Sequence, residues 1–270
     1  KALILHHLLI PRGIRYDDPG TGHFVPLAIA QSGQARLVRS GSHELAQGLW
    51  TAILKQGGDI WDLAEVTQIL VEEGRAIGVE LRDGRRIHGR ATVSTLDPAS
   101  TFRLTGETLM DPPDDLSLFA VHLALKAPPR FRVAALTPEA DSAFRYAIGL
   151  ESTEEHAALW NELRRGELPT RAGMFVSFPS LHDASQARPG HHTALLWQMV
   201  PRNLGGRAWS EVRDDYAAVC IDRLRRHAPN IGESIVGSVA MTPDDHAAKW
   251  PNLAAGLFGR RNTDGEPAGY

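Results

Sequence analysis

Val66-Thr67-Gln68-Ile69-Leu70-Val71-Glu72-Glu73-Gly74-Arg75-Ala76-Ile77-Gly78-Val79-Glu80-Leu81-Arg82-Asp83-Gly84 is the most legible stretch of the chain. Thr67, Ile69 and Val71 alternate with Gln68 and Leu70, and a period of two predicts a strand. Glu72-Glu73-Gly74-Arg75 turns the chain into Ile77, Val79 and Leu81. Asp83-Gly84 marks a hairpin, because both residues tolerate positive φ. Arg86–His88 and Ala91–Ser94 extend the expected β-meander as far as Thr95-Leu96-Asp97-Pro98, which reads as a strand-ending turn.

Working back from this stretch, Leu45, Leu49, Ala52 and Ile53 share one face of a helix, with Ser42 in N-cap position. Gly57-Gly58 closes that helix, since glycine takes the left-handed C-terminal conformation cheaply. The apolar start of residues 1–39 reads as a helix cut in the middle. The rest of that segment, with Pro11, Gly13, Pro19, Gly20, Gly22 and Pro26, reads as loop.

Working forward, Asp111-Pro112-Pro113-Asp114-Asp115 is a linker into a larger unit. Strands are expected at Ser117–Lys126, Phe144–Leu150, Gly173–Phe178, Thr193–Val200 and Ser234–Met241. One helix between them opens on the capping box Ser152-Thr153-Glu154-Glu155 and stops at Gly166. A second sets Trp209, Val212, Tyr216, Val219, Cys220 and Leu224 on one stripe and ends before Pro229. Strands and helices do not alternate strictly. The expectation is an α+β fold, its sheet covered by helices on one face.

Composition narrows the function classes. In 270 residues, 43% are hydrophobic and 23% charged, which is ordinary for a globular protein. A formal net charge of -3 provides no basic face for nucleic acid. Apolar runs such as Ala194–Val200 are too short to span a bilayer. The single cysteine, Cys220, excludes an internal disulfide and a cysteine-based zinc site. A cytoplasmic location is expected.

Several blocks together resemble the phytoene desaturase and phytoene dehydrogenase-like FAD-dependent oxidoreductases. They are Ser40-Gly41, Gly57-Gly58, Val66-Thr67-Gln68-Ile69, Gly74-Arg75-Ala76-Ile77-Gly78-Val79-Glu80-Leu81-Arg82-Asp83-Gly84 and Val93-Ser94-Thr95-Leu96-Asp97-Pro98, collinear with the family pattern. Phe178-Pro179-Ser180, Asp183, Pro189-Gly190-His191, Ala228-Pro229-Asn230 and Met241-Thr242-Pro243-Asp244-Asp245 continue the likeness. Two departures stand beside it. No Gly-x-Gly-x-x-Gly turn follows a strand, and no second glycine-rich flavin segment occurs before Tyr270.

The resemblance implies a partial FAD-binding domain with a β-meander plus a mixed-sheet substrate domain covered by helices. Residues 1–39 would connect to or belong to the substrate domain, and residues 40–109 would be the middle piece of a discontinuous FAD domain. Residues 110–245 would be the substrate domain, and 246–270 a truncated return. The implied activity is hydride removal from an apolar small-molecule substrate to FAD, and this chain alone is expected to be inactive and to hold FAD weakly or not at all. Cofactor contacts are implied at Val66, through its main chain against the adenine edge, and at Gly41 and Ser42 near the flavin. No catalytic residue is nominated, and no metal is expected. Self-association, or a partner covering a missing Rossmann half, is expected from apolar surface left bare. The alternative is a flavin-free binding or assembly subunit that retains the substrate-domain fold.

Other candidates have plainer readings. His6-His7 and His191-His192 read as surface or loop histidines, because adjacent side chains rarely converge on one ion. Ser180 with His182 and Asp183 lacks the sharp strand-to-helix turn of a nucleophile. His122, in an apolar strand, reads as a core histidine. Trp197 and Met199 could line an apolar pocket or simply be core. Arg223, Arg225 and Arg226 read as a solvated helix face.

Overall fold

The computed structural model describes residue 10 and residues 21–32, 36–108, 116–170 and 173–250. The expected helix at the chain start (apart from Ile10), the linker at 111–115, the stretch 251–270 and His6-His7 lie outside the described residues.

Helix α1 spans Thr21–Ser32 with Pro26 inside it. This corrects the loop expected there: Gly22 and Pro26 are outweighed by Leu27-Ala28-Ile29-Ala30, a run without a breaker. Helix α2 spans His43–Lys55. Ser42 precedes it as expected but makes no side-chain capping bond. The Gly41 and Ser42 carbonyls instead accept the Glu44 and Leu45 N–H groups, so the main chain does the capping. At the other end Gly58 N–H donates to the Ile53 carbonyl, closing the helix at the glycine pair.

Strands β1 (Val66–Glu72), β2 (Arg75–Leu81) and β3 (Arg86–His88) form an antiparallel sheet in that order. Glu73 and Gly74 both have positive φ at the first turn. Ile69, Gly78 and Leu81 are the buried residues of this small sheet. The meander stops there, since residues 91–94 form no strand and Val93 is 87% exposed. No neighbouring strand among the described residues offers them a ladder. Asp97-Pro98 starts helix α3 (Pro98–Leu104) rather than ending a strand: Asp97 Oδ1 accepts the Ser100 N–H at 2.9 Å, and Pro98 costs nothing in the first turn.

The larger sheet runs β5-β6-β7-β4-β8. Its strands are β4 (Leu116–Leu125), β5 (Arg145–Ile148), β6 (Met174–Ser177), β7 (His192–Pro201) and β8 (Ile235–Met241). All five expected strands are present. Every pair is antiparallel, so the sheet is not mixed. Strand direction is set by pairing between segments far apart in the chain, the shortest link between neighbours being the loop 178–191 between β6 and β7, and local pattern does not carry it.

Helix α4 (Thr153–Arg164) and helix α5 (Trp209–His227) lie where the sequence predicts them. Ser152 Oγ accepts the Glu155 N–H, while Glu155 Oε2 accepts the Glu151 N–H. On α5, Trp209, Val212, Tyr216, Cys220 and Leu224 are buried; Val219 is not. They pack with Phe119, Val121, Leu123, Val176 and Leu196 on one face of the sheet. The opposite face is partly covered too, by Leu159, Trp160 and Leu163 of α4 against Leu116, Phe175 and Met199. Helices therefore cover both faces, because large apolar side chains project from both at that end. A short helix α6 (Ile231–Ser234) precedes β8, and α7 (Pro243–Lys249) follows it.

Arg223 is buried among these elements, which corrects its reading as solvated. Its guanidinium donates to Gln198 Oε1 at 3.0 Å and to the Pro169 and Thr170 carbonyls at 2.9 and 2.8 Å. Two of the sequence blocks have structural work. Asn230 clamps the Pro128 carbonyl and the Arg130 N–H. Thr242 and Asp245 cap α7 reciprocally, and Asp245 pairs with Arg213 at 2.9 Å.

Candidate functional site

Val66 stands at the start of β1, an edge strand. Arg82 N–H donates to the Glu65 carbonyl at 2.8 Å, while Leu81 N–H is taken by the Arg85 carbonyl at 2.9 Å. Val66 pairs with Leu81. The pair is therefore of the antiparallel kind that exchanges no hydrogen bonds, and the Val66 N–H and C=O point away from β2 to the open edge. The side chain is half-buried. A donor and an acceptor on one residue, aimed outward, match the edge of a purine. Glu65 beside it is held by Arg82 at 2.5 Å, a surface pair of small energetic weight.

Gly41, at φ +96°, and Ser40, at φ +66°, form the turn into α2. Ser40 N–H donates to the Asp183 carboxylate. A side chain added at Gly41 would meet Gln186 Nε2 at 3.4 Å. The turn thus rests on the loop between β6 and β7. The Ser185 hydroxyl and the Ser40 N–H hold the Asp183 carboxyl below its ordinary range.

That loop joins the ends of β6 and β7 at Ser177 and His192, which fixes where the turn meets the larger sheet. Antiparallel partners share a face, so Ala120, Trp197 and Phe175 stand together on the face α4 partly covers. One rung nearer the Gly41 turn stand His122, Leu195, Ser177 and Val239, and then Ala124, Thr193 and Gly237. Here α4 no longer reaches: His122, Ala124 and Val239 are exposed, Val239 by 62%. Trp197 stacks on Phe175 at 4.6 Å, with the Arg145 guanidinium over both rings. The result is a sheet surface on which Leu195, Val239 and Trp197 are apolar and His122, Ser177 and Thr193 polar, bare at the end where the Gly41 turn docks. Of the pair read as pocket or core, Trp197 borders this surface and Met199 is buried under α4.

His122 is on the open face, not in the core. From α7, Lys249 acts on it electrostatically, and His122 in turn acts on His246. Partial burial first, and the Lys249 ammonium second, push the His122 imidazole below its ordinary value. Sequence reasoning missed this grouping because α7 and β4 are more than a hundred residues apart and only the fold joins them.

The remaining candidates do not assemble. Ser180 Oγ accepts the Thr193 N–H at 2.9 Å and lies 3.4 Å from His192 Nδ1, whereas His182 packs edge-on to Phe144. His191 Nδ1 contacts the Pro189 carbonyl. No group of three or more potential ligands for a metal occurs among the described residues. No helix among them is long and apolar enough to cross a membrane. A cleft of about 280 Å³ lies elsewhere, at the β5 edge and the C-terminal end of α5, lined by Phe131, Tyr146, Arg226 and others.

Two antiparallel sheets with several helices make this a mixed α/β chain, and its relatives include dehydrogenases and desaturases. The chain is a distant homologue of the phytoene desaturase, prolycopene isomerase and limonene dehydrogenase family of FAD-dependent oxidoreductases. It is 30% identical to a limonene dehydrogenase polypeptide of Castellaniella defragrans, over 95% of this chain and 51% of that protein. Phytoene desaturase (neurosporene-forming) of Rhodobacter capsulatus is 26% identical, over 76% of this chain and 40% of that protein. The chloroplastic prolycopene isomerase of Arabidopsis thaliana is 25% identical, over 75% and 33%. The chain therefore spans about half or less of the length of these curated relatives. No protein-family model matches it.

Proposed function

We propose that this chain supplies the adenine-side strand and the substrate-facing sheet of an FAD-dependent dehydrogenase or desaturase acting on an apolar substrate. The outward main chain of Val66 carries the reading. It turns a donor and an acceptor away from β2, on an edge that no strand among the described residues pairs with, at the position where the sequence pattern calls for a nucleotide contact. Val66 would hold the adenine edge, and the Gly41-Ser42 turn would approach the flavin. When bound, FAD would supply a hydride acceptor. The chain's own contribution is to orient a hydrocarbon on the sheet surface around Leu195, Trp197 and Val239 and to keep water from it. Relatives named for limonene and phytoene, both hydrocarbons, support that substrate class.

The test is a Val66→Pro variant of the protein expressed from its complete gene. Proline removes the outward N–H and is tolerated where an edge strand's N–H faces away from the sheet. The parent is expected to purify with flavin absorbance, and the variant to fold, by circular dichroism, with its FAD lost. A variant that folds and keeps the parent's FAD content would rule out the Val66 contact.

A further inference from the structure

Resting on the dehydrogenase reading above, we infer that His122 is the proton acceptor of the desaturation, standing on the bare end of the substrate-facing sheet. Forming a carbon–carbon double bond removes two hydrogens from adjacent carbons. A hydride, with its electron pair, leaves one carbon for the oxidised flavin. The C–H pair of the neighbouring carbon becomes the π bond, and its proton must go to a base. The substrate loses two electrons and the flavin gains them, so the base takes a proton only.

Among the described residues of the bare sheet end, His122 is the side chain suited to that task. It lies on β4, between Leu195 of β7 and Val239 of β8, one rung from Trp197. Those neighbours are apolar and cannot compete for the proton. Ser177 and Arg145 share its rung, but two and three strands away. The docked Gly41 turn lies at the same end of the sheet. The titratable groups facing His122 come from α7. Lys249 is cationic, and His246 has a buried Nε2 with no hydrogen-bond partner. Partial burial first, and the Lys249 ammonium second, disfavour a positive charge on His122, which favours the neutral form that can accept. No acidic group is identified as acting on His122; Asp245, which caps α7, acts on His246.

The test uses the protein from its complete gene, with bound FAD, limonene as the probe, and the variants His122→Gln and Lys249→Met. Anaerobic flavin bleaching by limonene is expected to fall about 100-fold in His122→Gln, the low end of general-base effects. FAD absorbance and reduction by dithionite should stay at the parent's level. The parent's bleaching rate should rise with pH through the titration of His122. That titration, read by NMR on carbon-labelled histidine and assigned by its loss in His122→Gln, should lie below about 6.5 and move up in Lys249→Met. Bleaching unchanged in His122→Gln, or an imidazole titrating at or above its ordinary value, overturns the inference and leaves the flavoprotein reading standing. A parent that holds no FAD, or holds it and is not bleached, overturns the dehydrogenase reading and the base with it.

Discussion

Arg223 shows how far single residues can be read. It lies three residues beyond Cys220 and next to Leu224, so the spacing of the α5 stripe places it inward, yet its charge argues for solvent. Charge prevails only when the interior has no acceptors, and here Gln198 and the Pro169 and Thr170 carbonyls supply them. Those acceptors come from distant parts of the chain, which local pattern does not contain. Arg223→Ala leaves the Gln198 side-chain oxygen and the Pro169 carbonyl, both on buried residues, without this donor and should cost about 2–3 kcal/mol, read as a lower urea midpoint at unchanged slope. Val66 is the opposite case. Its strand position was legible from alternation, but the direction of its N–H depends on pairing register, which appears only once Arg82 is seen to bond Glu65.

Elements were legible where period and punctuation agreed, as in β1, β2, α4 and α5. Gly78, within the second strand, carries a reason that periodicity omits: a Cβ there would lie 2.2 Å from the Ile87 carbonyl oxygen, a backbone atom that cannot swing aside. Gly78→Ala should therefore detach β3 from β2, measured as faster amide exchange at Val79 and Ile87, with the larger sheet unaffected. Asp97-Pro98 shows an error of context. Aspartate followed by proline is a good helix start, but after Val93-Ser94 it looked like the close of a strand. Helix α7 should be sensitive to acid. Burial pushes the His246 imidazole below its ordinary value, aided by His122 and Lys249 against the pull of Asp245. Burial pushes the Asp245 carboxyl up, but the Thr242 donors and Arg213 outweigh it and hold it below the ordinary range. Both groups then bind protons less readily when folded. Their stabilising effect is complete above the ordinary values, near 6.5 for histidine and near 3.9 for aspartate. It is lost as pH falls through the lower folded ones. Trp250, stacked on His246 at 5.7 Å, reports this: its fluorescence, taken as the difference from Trp250→Phe, should change first below about pH 6.5 and again below about pH 4.

At the scale of the molecule, the five strands of the larger sheet were legible and their order was not, because pairing between distant segments leaves no local trace. The apolar face of α2 raises a separate question of solubility. Leu45, Leu49, Trp50, Ile53 and Leu54 are each more than 40% exposed, and no residue of α2 is buried. Such a patch seeks cover. Purified as residues 1–270, the polypeptide should give a light-scattering mass above 29.5 kDa that falls on Leu49→Lys plus Ile53→Lys substitution. A monodisperse monomer would count against an adhesive helix.

The sheet order has one more consequence, for synthesis on the ribosome. Strand β4 is the first of the five to be made, and its neighbours β7 and β8 come later. More than sixty residues separate the end of β4 from the start of β7. At roughly 5–20 residues per second, the nascent chain carries Leu-Phe-Ala-Val unpaired for several seconds. A chaperone that shelters extended apolar segments is most needed in that interval, and slowing translation after Leu125 should lengthen it.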